Sequence, residues 1–306
     1  MLRHLLRGLA VAVGAAFTLG PVPAAATTPV SACQPLDKAG ETYILTTDIG
    51  AGGDCFQVLA DRITLDLAGH TITGLGVNSG TNGVWDSDSS RALTVVKNGT
   101  IKSFTFGILF GFSTRSIVRG VTTSDNDVGI FIGPNSLVKD CIVQRNRDEG
   151  IDAAEGVQVE GCLIGGVDSN GTSLGNGGHG LQGAQRMLVT KNTASNNGLG
   201  GIVVDLNSTV THNTTNDNGE DGIFVGARSL VSYNVANENG QDGIVVGQGS
   251  QASYNTASHN AEYGIEAVCP STITHNEVGP SGVENIHTIG DGCFIKDNLL
   301  VANPGP

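Results

Sequence analysis

GLQGAQRMLVTKNTASNNGLG (180–200), GIVVDLNSTVTHNTTNDNGED (201–221), GIFVGARSLVSYNVANENGQD (222–242), GIVVGQGSQASYNTASHNAEY (243–263) and GIEAVCPSTITHN (264–276) repeat one 21-residue phrase almost five times. Each unit opens on Gly, usually followed by Ile, and an apolar residue returns two positions later, as in Ile202/Val204 and Ile223/Val225. That alternation has the period of a strand. Nine residues after the Gly stands a second apolar position (Val189, Val210, Val231, Ala252, Ile273), and three further on an Asn. The Gly, Asn, Thr and Val content excludes a 21-residue helix, because all four are poor interior helix residues. Three short strands per unit, separated by Gly and Asn turns, account for the pattern. If each unit is one coil, equivalent residues stack at the strand spacing of about 4.8 Å. Asn192, Asn213, Asn234, Asn255 and Asn276 then form a structural ladder of amides.

The phase runs upstream through Gly99, Gly120, Cys141 and Cys162 and downstream to Asp297, with nine extra residues between Cys162 and Asn192. The expected architecture is all-β: a single-stranded parallel β-helix of about ten coils with an N-terminal cap, a rod of roughly 45–50 Å. Residues 1–26 carry Arg3 and Arg7, an apolar run from Gly8 to Leu19 and Ala24-Ala25-Ala26, the pattern of a secretory leader cut near Ala26. The expected divisions are a leader (1–26), a cap with the first coil (27–74), coils (75–298) and a tail (299–306). Residues 75–90, with the single Trp, read as a polar loop. The apolar run is too short to span a bilayer, and export to a secreted or periplasmic location follows. Removing Arg3 and Arg7 leaves 14 basic against 29 acidic residues, a net charge of −15. Such a surface repels phosphate backbones, which argues against nucleic acid as a partner.

Six cysteines in an oxidising compartment allow fifteen pairings, and the register prunes them. Cys33 and Cys55 flank the cap, and Cys269 and Cys293 fall in the last two coils, so both pairs are expected to bridge. Cys141 and Cys162 sit one coil apart, as a third bridge or as two buried thiols in the Asn-ladder column.

The segments CQPLDKAGETYILTTDIGAGGDCFQVLADRITLDLAGHTITG (33–74) and VVKNGTIKSFTFGILF (95–110), followed by serial Gly-Ile and Asn units, resemble secreted right-handed parallel β-helix repeat proteins. These belong to the pectin-lyase-like superfamily and include NosD-like chains. The resemblance implies the fold, and it admits lyases, hydrolases, epimerases and binding proteins.

Candidate chemistry lies in the turn before each Gly-Ile strand, which carries Asp127, then Asp148 and Glu149, then His179, then Asp221 and Asp242. Carboxylates one coil apart have the spacing that glycosidic cleavage uses. His179, Glu149, Asp148 and Arg186 are the expected catalytic set if the protein cleaves or epimerises a polysaccharide, Arg186 being a candidate to neutralise a substrate carboxylate. The nine-residue insertion adds Asp168. A further column, Lys191, His212, Tyr233, Tyr254 and His275, offers a platform for sugar rings if it faces outward. The ligand-contacting set is therefore Tyr233, Tyr254, His212, Asp127, Asp168 and Asp221.

No metal site is expected, since His212 and His275 lie about 14 Å apart by the coil spacing. No cofactor is implied; calcium is the one ion that Asp127, Asp148 or Glu149 could hold. The leading expectation is an exported protein that binds carbohydrate or a cell-surface polymer along its long face. The alternatives are a polysaccharide hydrolase, lyase or epimerase, and a structural rod of an envelope or matrix.

Overall fold

The computed structural model describes residues 27–86 and 91–301; the leader at 1–26 lies outside the described residues. Every turn of chain supplies up to three strands. In one complete coil these are Ile202–Val204, Thr209–Thr211 and Thr214–Asn216. The first strands stack into a 12-stranded parallel sheet, and the second and third form a 23-stranded sheet that bends between them. Among the described residues there is no helix, and hence none long and apolar enough to cross a membrane.

Pairing follows the 21-residue spacing. Ile202 pairs with Ile223, which pairs with Ile244, and Val210 pairs with Val231. One side chain in two points inward. Ile202, Ile223, Ile244 and Ile265 from the first strands meet Val210 and Val231 from the second and Ala236 and Ala257 from the third, all at 0% exposure. The core is a continuous stack of such layers, so each coil buries its apolar edge only against its neighbours.

Each coil has three corners, and in the coil 201–221 each is turned by one non-glycine residue in the left-handed region: Asn207, His212 and Asp217 have φ of 58°, 57° and 56°. This conformation is unfavourable for a residue with a Cβ. It is held by polar columns at the corners. At the second corner, both the backbone N–H and Nδ2 of Asn213 donate to Oδ1 of Asn234, at 2.9 and 3.0 Å, and Asn234 repeats the arrangement onto Asn255. At the third corner a second ladder runs through Asn176, Asn197, Asn218, Asn239 and Asn260. The first corner carries a column that the sequence reading passed over: the N–H of Ser208 donates to Oγ of Ser229, and that of Ser229 to Oγ of Ser250.

Several boundaries differ from expectation. The first sheet has twelve strands, hence about twelve coils rather than ten and a stack of about 55 Å. The extra coils come from residues 27–74, where Thr27–Val30 pairs with Thr42–Leu45, which pairs with Thr64–Asp66. Trp85 sits in the strand Asn82–Asp86 of the first sheet, not in a loop. Gly99 pairs with Val121 instead of Gly120, and the ladder continues from Asn276 to Asn298 instead of Asp297; both are 22-residue coils. Leu299–Leu300 pairs with Glu277–Val278, so the stack extends into the expected tail.

Cys33–Cys55 and Cys269–Cys293 are disulfides with Cα–Cα distances of 4.4 and 4.9 Å. Cys141 and Cys162 are free and buried. Cys162 occupies the ladder column, its backbone N–H donating to Oδ1 of Asn192 at 2.9 Å. The interaction with Cys141 and burial both push its thiol upward.

Candidate functional site

On the first sheet the second residue after each Gly points outward. In successive coils these are Phe131, Asp152, Gln182, Val203 and Phe224, paired one to the next. The two phenylalanines rise as walls four coil steps apart, about 19 Å. Between them Ala153, Ala154, Gly183 and Ala184 make a low floor. A Cβ on Gly183 would point inward, 2.9 Å from the flexible end of Met187, Cε. The result is an open groove of about 530 Å³, closed at one side by Asp205. On the same face toward the N-terminus, a smaller recess of about 340 Å³ is lined by Pro35, Gln57 and Trp85.

Asp152 is the ionisable group of the groove floor. Burial raises its carboxyl above the ordinary range, and the charge of Glu149 adds to this. Glu149 belongs to the column that immediately precedes the Gly residues, followed one coil on by His179 and then by Gly200, Asp221 and Asp242, as the hydrogen bonds from each Gly N–H establish. Glu149 and His179 thus stand one coil apart in one column, just before the strands that carry Asp152 and Gln182. Nδ1 of His179, however, accepts the N–H of Gly200 at 2.9 Å.

The other expected residues are placed differently. Arg147 bridges Asp148 and Asp127, at 3.0 and 3.3 Å, and Oδ2 of Asp127 also accepts the N–H of Asn78. Arg186 follows the far end of the strand Leu181–Gly183 and pairs with Glu155, so the strand separates it from His179. Asp168 caps a small exposed hairpin, where Val167 pairs with Ser173 and its Oδ1 accepts the N–H groups of Asn170 and Thr172. Those bonds hold its carboxyl below the ordinary range.

His212, Tyr233, Tyr254 and His275 form one exposed stack at the second corner, with centroids 4.9–5.0 Å apart and adjacent planes within 17°. The faces of the two tyrosines are therefore taken up by their neighbours. What they offer outward is ring edges, whereas sugar stacking needs faces.

Further along the first-sheet face, Oδ1 of Asp221 accepts the N–H of Asp242, and Oδ1 of Asp242 accepts that of Tyr263. Burial, then Asp221, Glu266 and Glu262, raise Asp242 to about 6 despite that bond. The folded state therefore keeps a proton that the unfolded chain has already released above about pH 4. Stability associated with this group is present in acid and lost as pH rises from about 4 to about 6. Asp242→Asn keeps an acceptor for Tyr263 and removes the charge. It should raise stability at about pH 7.5 by about 1 kcal/mol, after discounting for solvent screening, and leave it unchanged near pH 4. Thermal melts at the two pH values read this directly.

Among the described residues, no group of three or more His, Cys, Asp or Glu is arranged to hold a metal ion. Asp152, Phe131 and Phe224 were missed in the sequence because outward positions carry no period. The one signal was a charged residue, Asp152, at a strand position where nearby coils have Phe131, Val203 and Phe224, though Gln182 and Glu266 hold it in others.

No curated protein sequence matches the chain. Among solved structures, the fold resembles the A-module of the Azotobacter vinelandii mannuronan C-5 epimerase AlgE4, with a TM-score of 0.69 and 16% identity over 85% of this chain and 86% of that one. The AlgE6 A-module from the same organism gives 0.64 and 13% over 91% and 89%. A mutant of the periplasmic alginate epimerase AlgG gives 0.53 and 15% over 85% and 77%. The sequence itself matches the family described as "Right handed beta helix region" over residues 52–180 and 155–279. The chain belongs to the right-handed β-helix family.

Proposed function

We propose that this is an exported protein that binds a polysaccharide chain along the outer face of its first sheet. The observation carrying the reading is the groove between Phe131 and Phe224, open along the coil axis and floored by small residues. A linear polymer can lie in such a groove with its rings against the phenylalanines and its hydroxyls toward Gln182 and Asp152. The mannuronan and alginate epimerases of similar fold favour a carbohydrate ligand. Two disulfides fit an oxidising compartment, in keeping with the leader-like residues 1–26.

A polysaccharide panel tested by titration calorimetry checks the reading. At least one glycan should bind, and Phe224→Ala should weaken it about tenfold, while Tyr254→Ala at the corner stack leaves it unchanged. Equal loss from both variants, or loss from Tyr254→Ala alone, contradicts the assignment of the face.

Glycan cleavage is a second reading, and one observation favours it. Burial, and then the charge of Glu149, raise the carboxyl of Asp152, so this face offers a carboxyl that holds its proton more readily than usual, as the acid of glycosidic cleavage must. Release of reducing ends, abolished by Asp152→Asn, would establish it.

A further inference from the structure

We propose that the polymer held in the first-sheet groove is built of amino sugars with free, protonated amines. The inference rests on the glycan reading above and adds the class of sugar. Among the described residues, no lysine or arginine lines the groove. Arg147 is paired with Asp127 and Asp148, and Arg186 with Glu155; Arg228 stands at the corner beyond Phe224 and is not part of the groove lining. Nδ1 of His179 is engaged by the backbone N–H of Gly200. No side chain lining the groove brings a positive charge to meet the carboxylate of a uronic acid.

The acidic groups are differently placed. Asp152 stands on the floor with no side-chain hydrogen bond or ion pair among the described residues, while the charge of Glu149 acts on it and Asp205 lines the groove beside it. Phe131 and Gln182, its partners in the adjacent coils, are uncharged. An ammonium delivered to Asp152 would offset both the burial and the repulsion from Glu149 that disfavour its ionised form. A uronate would add another negative charge to the same place. The phenylalanine walls argue for a ring-bearing polymer over a basic peptide, since ring faces are what flat aromatic walls accommodate.

The test is titration of the full chain with hexamers of glucosamine, N-acetylglucosamine, glucose and mannuronic acid, and with oligolysine, at mildly acidic pH and low salt. The glucosamine hexamer is expected to bind about tenfold more tightly than the acetylated and glucose hexamers, and the mannuronate hexamer not at all. Asp152→Asn should bring the glucosamine hexamer down to the affinity of the acetylated one, and added salt should do the same. If the acetylated, glucose or mannuronate hexamer binds as tightly as glucosamine and Phe224→Ala weakens it, the amino-sugar inference is overturned while the glycan reading stands. If no hexamer binds, both fall. Oligolysine binding as tightly as the glucosamine hexamer would overturn the sugar class by reducing the site to a charge sink.

Discussion

Asn234→Ala is expected to destabilise the protein by about 3–5 kcal/mol, more than the 1–3 kcal/mol or so that a single unsatisfied group costs. Asn234 is 1% exposed. Its Nδ2 donates to the carbonyl of Val210 and to Oδ1 of Asn255, and its own Oδ1 accepts both the backbone N–H and Nδ2 of Asn213. Alanine removes all four bonds and leaves the Asn213 N–H and the Val210 carbonyl buried without this partner. The corner residue Tyr233 would also lose support for its left-handed backbone, φ 57°. Urea denaturation monitored by circular dichroism reads the loss. A change below about 1 kcal/mol would mean that the ladder is decoration on a stack held by apolar packing alone.

The second large effect belongs to the Gly that opens each repeat. Gly222 has an ordinary backbone, so its requirement is one of space. A Cβ there would lie 2.6 Å from Nδ2 of Asn239, 2.7 Å from the carbonyl of Gly243 and 2.8 Å from Oγ1 of Thr215. The first contact is a rung of the third-corner ladder, and the second is backbone that cannot withdraw without opening the sheet. Gly222→Ala is therefore expected to cost about 2–4 kcal/mol, by overpacking together with a strained rung. The recurrence of Gly at 180, 201, 222 and 243 is thus tied to the Asn at 197, 218, 239 and 260, since each Gly makes room for the amide of the Asn that follows it in the stack. A melting temperature equal to that of the parent would contradict the coupling.

Those two motifs explain why so much of the fold was legible. In this architecture backbone pairing runs between coils, so the spacing of residues in sequence is the geometry of the stack. Asn213 and Asn234 are neighbours because they are 21 apart. The reading weakened where turns gained a residue, as between Gly99 and Val121 or Asn276 and Asn298, because a corner absorbs one extra residue without disturbing the strands on either side. It also weakened in residues 27–74, where coils form without the Gly-Ile and Asn signature.

The candidate site was less legible for a related reason. Periodicity is imposed by inward positions and corners, whereas the groove is made by departures from it: two phenylalanines, an aspartate and four small residues at positions where other coils carry something else. The column of Glu149 and His179 was found because it adjoins a periodic Gly. The His212–Tyr233–Tyr254–His275 column was found because it is itself periodic, and stacking at coil spacing turns its ring faces onto one another.

Backbone hydrogen exchange with and without a bound glucosamine hexamer tests the functional account most directly. Protection should appear in residues 151–154, 181–184, 202–205 and 223–225, with residues 211–213, 232–234 and 253–255 at the aromatic corner unchanged. Protection confined to that corner, with the first sheet unaffected, would contradict the account.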